Sequence, residues 1–122
     1  MITSTLSTST SVTVPVRVFK STNTGLTGGT GQISAITTIM LCNTAAITLT
    51  DETSNSVSVN VYLVKSGQSY STTNQVVSNL IVPAGETVFF SEERIVLDAN
   101  DEIWVGTSTA SVLAVTVSSL LV

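Results

Sequence analysis

The residues of this chain able to do chemistry are few, and their types set narrow limits. There is no histidine, and Cys42 is the single cysteine. Without histidine there can be no Ser-His-Asp triad, no Cys-His pair and no imidazole metal ligand. Cys42 ends the apolar run QISAITTIMLC (residues 32–42) and reads as a small buried hydrophobe with no base to activate it. The carboxylates fall mainly in three loop segments: Asp51 with Glu52, Glu92 with Glu93, and Asp98 with Asp101 and Glu102. The last of these, DANDE, superficially resembles a cation loop. It lacks the carboxylate spacing and the glycine of an EF-hand, and Asx-turn chemistry accounts for it more simply. The glycine-rich stretch STNTGLTGGTG (residues 21–31) has no GxxxxGK[ST] pattern and reads as a plain connection. No catalytic residue, metal or cofactor is expected, and the chain does not read as an enzyme.

The surroundings of those residues point to a neutral, hydroxyl-rich surface. The 122 residues fit one domain, with 43% hydrophobic residues and only 10% charged. Ser and Thr make up roughly a third of the chain; they compete with helical backbone bonds, while Thr and Val favour strands. The net charge is −4, and the four cations Arg17, Lys20, Lys65 and Arg94 are scattered. That excludes the clustered basic footprint of nucleic-acid binding and a polybasic membrane anchor. The apolar runs are too short for a spanning helix, and the first residues lack the basic and apolar regions of a secretory signal. One cysteine and no possible internal disulfide fit folding in a reducing cytoplasm.

Periodicity supplies the elements. Residues 1–11, MITSTLSTSTS, read as a flexible arm, either disordered or ordered only against a neighbouring subunit. Residues 12–20 alternate, with Val12, Val14, Val16 and Val18 on one face and Arg17 and Phe19 on the other. Pro15 predicts an edge strand or a bulge there. Residues 32–42 read as a strand buried on both faces. A short strand is expected at residues 46–49 and the clearest one at residues 56–64, with Val57, Val59, Val61 and Leu63 inward. Val82-Pro83-Ala84-Gly85 reads as a type I turn and Asp98-Ala99-Asn100-Asp101 as an Asx turn, separating strands near residues 75–82, 87–90, 94–97 and 102–105. A last strand covers residues 110–119. Eight or nine short strands in residues 12–122 predict an all-β, antiparallel two-sheet sandwich, jelly-roll-like as first choice and immunoglobulin-like as second.

The second half, from Val57 to Ser118, carries four pieces in order: VSVNVYLVKSG, NLIVPAGETVFF, RIVLDANDEIWV and ASVLAVTVS. This order resembles that of small structural proteins from tailed-bacteriophage virions. In those proteins a valine-rich strand, an I-P-A-G-[DE]-T turn, an I-V-L-x-x-x-D segment and a closing strand build a β-sandwich. The position before Asp101, commonly Gly in that pattern, is Asn100 here, which also tolerates left-handed turn geometry. The glycine-rich first half departs from the pattern.

The resemblance implies a non-enzymatic virion structural protein, assembled in the host cytoplasm. Its first form is a capsid decoration or cement protein on the outer head surface. The partners implied are the major capsid protein or other virion proteins and further copies of the chain, a trimer being favoured. The contact elements expected are the arm (Ile2, Leu6) and the edge strand (Val12, Val14, Val16, Phe19). A neck, tail or fibre component is the first alternative. A carbohydrate-binding module is another, for which the candidate aromatics are Tyr62, Tyr70, Phe89 and Trp104, with Trp104 expected to pack in a core or interface.

Overall fold

The computed structural model describes residues 2–5, 14–21, 33–47, 55–91, 94–109 and 112–121, with residues 2–5 and 121 described by their backbone. Nine strands and no helix are present among them: β1 Ile2–Thr5, β2 Val16–Lys20, β3 Ser34–Asn43, β4 Val57–Val64, β5 Gln75–Val82, β6 Thr87–Phe90, β7 Ile95–Leu97, β8 Glu102–Thr107 and β9 Leu113–Leu121. One sheet runs β1-β9-β3-β6 with β7 also on β3, and the other runs β2-β8-β4-β5. All pairings are antiparallel. Because β6 and β7 both pair with β3, they act as one interrupted strand. The eight strand positions then follow the order of a two-sheet jelly roll, the expected architecture.

Alternation of apolar and polar residues builds the core between the sheets. Val57, Val59 and Val61 of β4 and Ile103 and Val105 of β8 meet Ile39 and Leu41 of β3 and Val115 and Val117 of β9. Each of these is almost fully buried. Removing one Val or Ile side chain of this kind from water stabilises the fold by roughly 1.5–3 kcal/mol.

Several boundaries differ from the sequence reading, each for a local reason. β3 is not buried on both faces. Its outer residues Ala35, Thr38, Met40 and Cys42 are half-buried, because nothing among the described residues covers that face. A bulge between Ile36 and Thr38 in the pairing with β9 shifts the side-chain parity, so Ile36 joins Ile39 and Leu41 in the core instead of facing away from them. Ala46 and Ile47 form no strand, and the remainder of that expected element lies outside the described residues. The ninth strand comes instead from the arm: Ile2–Thr5 pairs with β9 of the same chain, Ile2 opposite Ser118. The turn after β5 is shifted by one residue. Glu86 N donates to Pro83 O, which places Gly85 third in the turn at φ +76, a type II position that favours glycine.

Two buried polar side chains lock the ends of the sandwich. At one end Asn43, fully buried, donates from Nδ2 to Val82 O and Asn55 O, both at 2.9 Å, and accepts from Ala45 N at 2.9 Å. The backbone of Asn43 also accepts from Gly85 N and donates to Glu86 O. One residue of the five-stranded sheet thereby holds the chain just before β4 and at the end of β5 in the other sheet. At the opposite end the carboxylate of buried Asp101 accepts from Ser66 N and Asp98 N. Asp101 O accepts from Ser21 N, so three loops converge there.

Replacing Asn43 by Leu removes its side-chain bonds to the buried Val82 carbonyl and to the part-buried Asn55 carbonyl and Ala45 amide. A buried polar group that loses its bond costs about 1–3 kcal/mol, and a drop of about that size in urea-unfolding free energy is expected. A loss below 1 kcal/mol would show that the ends close without this side chain.

Candidate functional site

The two outer faces of the sandwich differ in character. On the four-stranded sheet the register sets Arg17 opposite Trp104, Trp104 opposite Tyr62 and Tyr62 opposite Gln75. These four therefore form one row across all four strands, pointing away from the core. Next to it, Lys20 pairs with Glu102.

The row is tied together by its own contacts. Arg17 Nη1 donates to Glu102 Oε2 at 2.9 Å, Lys20 Nζ lies 4.0 Å from the same oxygen, and Trp104 Nε1 donates to Glu102 Oε1 at 3.1 Å. Tyr70, from the loop joining β4 to β5, folds back between the two strand aromatics. Its ring centroid is 5.4 Å from Tyr62 and 5.5 Å from Trp104, at interplanar angles of 54° and 37°. Both pairs lie within the favourable range for aromatic contact. Three of the six aromatic residues thus meet at one place. Further along the face, Asn60 accepts from Gln75 Nε2 and Asn79 N.

The opposite face, on the five-stranded sheet, bears no Asp, Glu, Lys or Arg at its outward strand positions among the described residues. Val96 and Leu120 flank Ala35 in one row, and Phe89 and Thr116 flank Met40 in another. Phe89, Val96 and Leu120 are 59%, 63% and 54% exposed. Half-buried Cys42 lies between Thr87 and Ala114 on the same face, which corrects its expected place in the core.

The contact residues expected from the sequence are scattered. Leu6 and Val12 lie outside the described residues, and Ile2 is described only by its backbone pairing in β1. Val14 is 49% exposed, and Val16 is half-buried against the core. Phe19 belongs to the core and presents no outward contact, because the bulge between Arg17 and Phe19 turns both Val18 and Phe19 inward. The position of β2 at the sheet edge matches the edge expected from Pro15, which itself precedes the strand.

The DANDE segment forms a β-turn over residues 98–101, with the Asp98 side chain accepting from Ala99 N, in place of a true Asx turn. Asn100 has φ +65, Asp101 N donates to Asp98 O, and the Asp101 carboxylate takes up backbone amides. Asp51, Glu52, Glu92 and Glu93 lie outside the described residues. Among the described residues no three of Cys, Asp and Glu come together as metal ligands. Sequence reasoning named Tyr62, Tyr70, Phe89 and Trp104 but missed that Tyr62, Tyr70 and Trp104 meet, with Phe89 on the other sheet. Tyr62 and Trp104 sit at alternating outward strand positions, but their register and the return of Tyr70 depend on the fold. No family model, no curated protein and no solved structure matches the chain.

Glu102 is the titrating centre of the cluster. Partial burial by itself raises its pKa; the hydrogen bonds from Arg17 and Trp104 and the charges of Arg17 and Lys20 outweigh that and bring the carboxyl below its ordinary 4.5. A lowered folded-state value means that ionised Glu102 stabilises the fold. That contribution is complete above pH 4.5 and lost as the pH falls through the lowered value. The emission of Trp104, the single tryptophan, is expected to shift over that acid range. Glu102→Gln should abolish the shift, and an unchanged acid transition in the variant would rule Glu102 out as its source.

Proposed function

We propose that this chain is a non-enzymatic structural protein of a tailed-bacteriophage virion, in the first instance a capsid decoration or cement protein seated on the outer head surface. The observation that carries the proposal is the outer face of the five-stranded sheet, whose outward strand positions among the described residues bear no charge and on which Phe89, Val96 and Leu120 are exposed, with Arg94 beside Val96. Exposed apolar side chains grouped on one sheet face mark a surface that packs against a partner.

Two further features support the same reading. The four pieces that carry the virion resemblance fall on consecutive elements: β4, β5 to β6, β7 to β8, and β9. The jelly roll is also an architecture used by viral capsid proteins, an analogy of fold that favours the reading without carrying it.

Magnitudes indicate how such a protein would hold on. Completing the burial of three exposed side chains contributes at most about 6 kcal/mol. Association of two bodies costs an estimated 4–15 kcal/mol in lost freedom. A single copy therefore attaches weakly, and firm attachment calls for several linked contacts, as in a homotrimer placed over adjacent major capsid subunits. The contact element in this reading is the neutral face together with β1 at its edge, in place of the core-facing Phe19. A neck, tail or fibre position would use the same face at lower copy number.

The test is to add purified protein to phage heads lacking it and to locate it by immunogold labelling. Wild-type protein is expected to label heads all over. The double variant Phe89→Glu/Val96→Lys, which alters only exposed positions, should fold normally and attach at least about tenfold more weakly. Gold confined to one pole or the tail would move the protein to the neck or fibre. Full attachment by the variant would remove the neutral face from the account, and absence of gold from every particle would overturn the virion assignment.

A further inference from the structure

We propose that the outer face of the four-stranded sheet carries a saccharide-binding site centred on Trp104 and Tyr70. It lies on the opposite side of the sandwich from the neutral face and goes beyond the virion reading. The argument starts from the aromatic residues. Sugar rings present apolar C–H faces edged by hydroxyls, so their recognition calls for aromatic surface beside hydrogen-bonding groups. Trp104 and Tyr70 are half-buried on the outer face, whereas Phe19 and Phe90 pack with the core. Their centroids are 5.5 Å apart and their planes 37° from parallel, which makes a shallow, angled surface rather than a closed stack.

Hydrogen-bonding capacity lies around it. Tyr62 is 9% exposed, and neither its hydroxyl nor that of Tyr70 has a hydrogen-bond partner among the described residues. Both hydroxyls keep their donor and acceptor capacity for a ligand. Arg17, whose side chain is 50% exposed, uses Nη1 on Glu102 and keeps the rest of its planar donor fork for vicinal hydroxyls or a sugar carboxylate.

Packing of the loop alone does not account for the cluster. The loop between β4 and β5 is closed by its own bonds: Leu63 N to Asn74 O, Ser71 N to Asn74 Oδ1 and Asn74 Nδ2 to Ser69 O. Tyr70 is therefore presented on a loop that is already shaped, and Trp104 is held in place by Glu102. Such preorganisation reduces the ordering cost of binding.

Labelled full-length protein would be screened on a glycan array spanning neutral, amino and uronic sugars. Trp104 emission would then be titrated with soluble xylo-, cello- and alginate-oligosaccharides. Saturable binding that shifts Trp104 emission is expected, weakened at least tenfold by Tyr70→Ala and by Arg17→Ala, with far-UV circular dichroism showing that both variants keep the β-sheet fold. No array signal together with no emission change in any titration would overturn the proposal. Binding that both variants retain would also overturn it, since the sugar would then sit elsewhere. Head labelling by Tyr70→Ala should remain normal, so failure of this site and failure of the virion reading are separable.

Discussion

The structure depends on satisfying one buried amide. Asn43 sits at the end of the central strand of one sheet, with no exposure to water, and its side chain reaches carbonyls before β4 and at the end of β5 in the other sheet. Valines facing one another across a sandwich attract without direction, and many offsets of the two sheets would bury similar area. A buried amide accepts few arrangements, because each polar group left alone costs about as much as a buried methyl-bearing side chain contributes. Asn43 thus helps fix how the sheets sit, and the rows of residues on their outer faces follow from that placement. Asp101 does the same at the far end through backbone amides, with an exposed Lys65 only 3.8 Å away and adding little.

How much of this was legible in the sequence depends on the range of the interactions involved. The alternation in SVSVNVYLV gave β4 and its inward valines correctly, because a period of two is a local property of the backbone. Pro15 pointed to an edge strand for an equally local reason, the missing amide hydrogen, and β2 is at the sheet edge. What escaped were the effects of a single inserted residue. At Thr37 and near Val18, bulges reverse the alternation, so a pattern read with strict parity sends Ile36 and Phe19 to the wrong side. The aromatic row escaped for a different reason. Arg17, Tyr62, Tyr70 and Trp104 are far apart in the chain and meet only once β2, β8 and β4 lie side by side.

The two outer faces divide the surface by chemistry. One is uncharged along its strands, with apolar side chains at its exposed positions; the other carries two of the four basic residues, Glu102 and half of the aromatic residues. A sandwich whose only task was to stay dissolved would have no reason for this split, since hydroxyls and charges mixed on both faces serve solubility better. The division suits a particle-bound module with one side toward its support and the other toward the medium.

The irregular edge of the four-stranded sheet has a consequence for self-association. β5 is a long terminal strand, with Val76 and Ile81 exposed, on a protein with little charge to keep copies apart. A straight edge of that kind is a template for open-ended cross-chain pairing. Asn79 interrupts it: its backbone stands at φ +54, its amide is occupied by the Asn60 side chain, and the pairing with β4 slips on either side of Val61. A second chain laid against β5 would lose register after a few residues. One left-handed asparagine thereby guards a weakly charged protein against open-ended fibre growth.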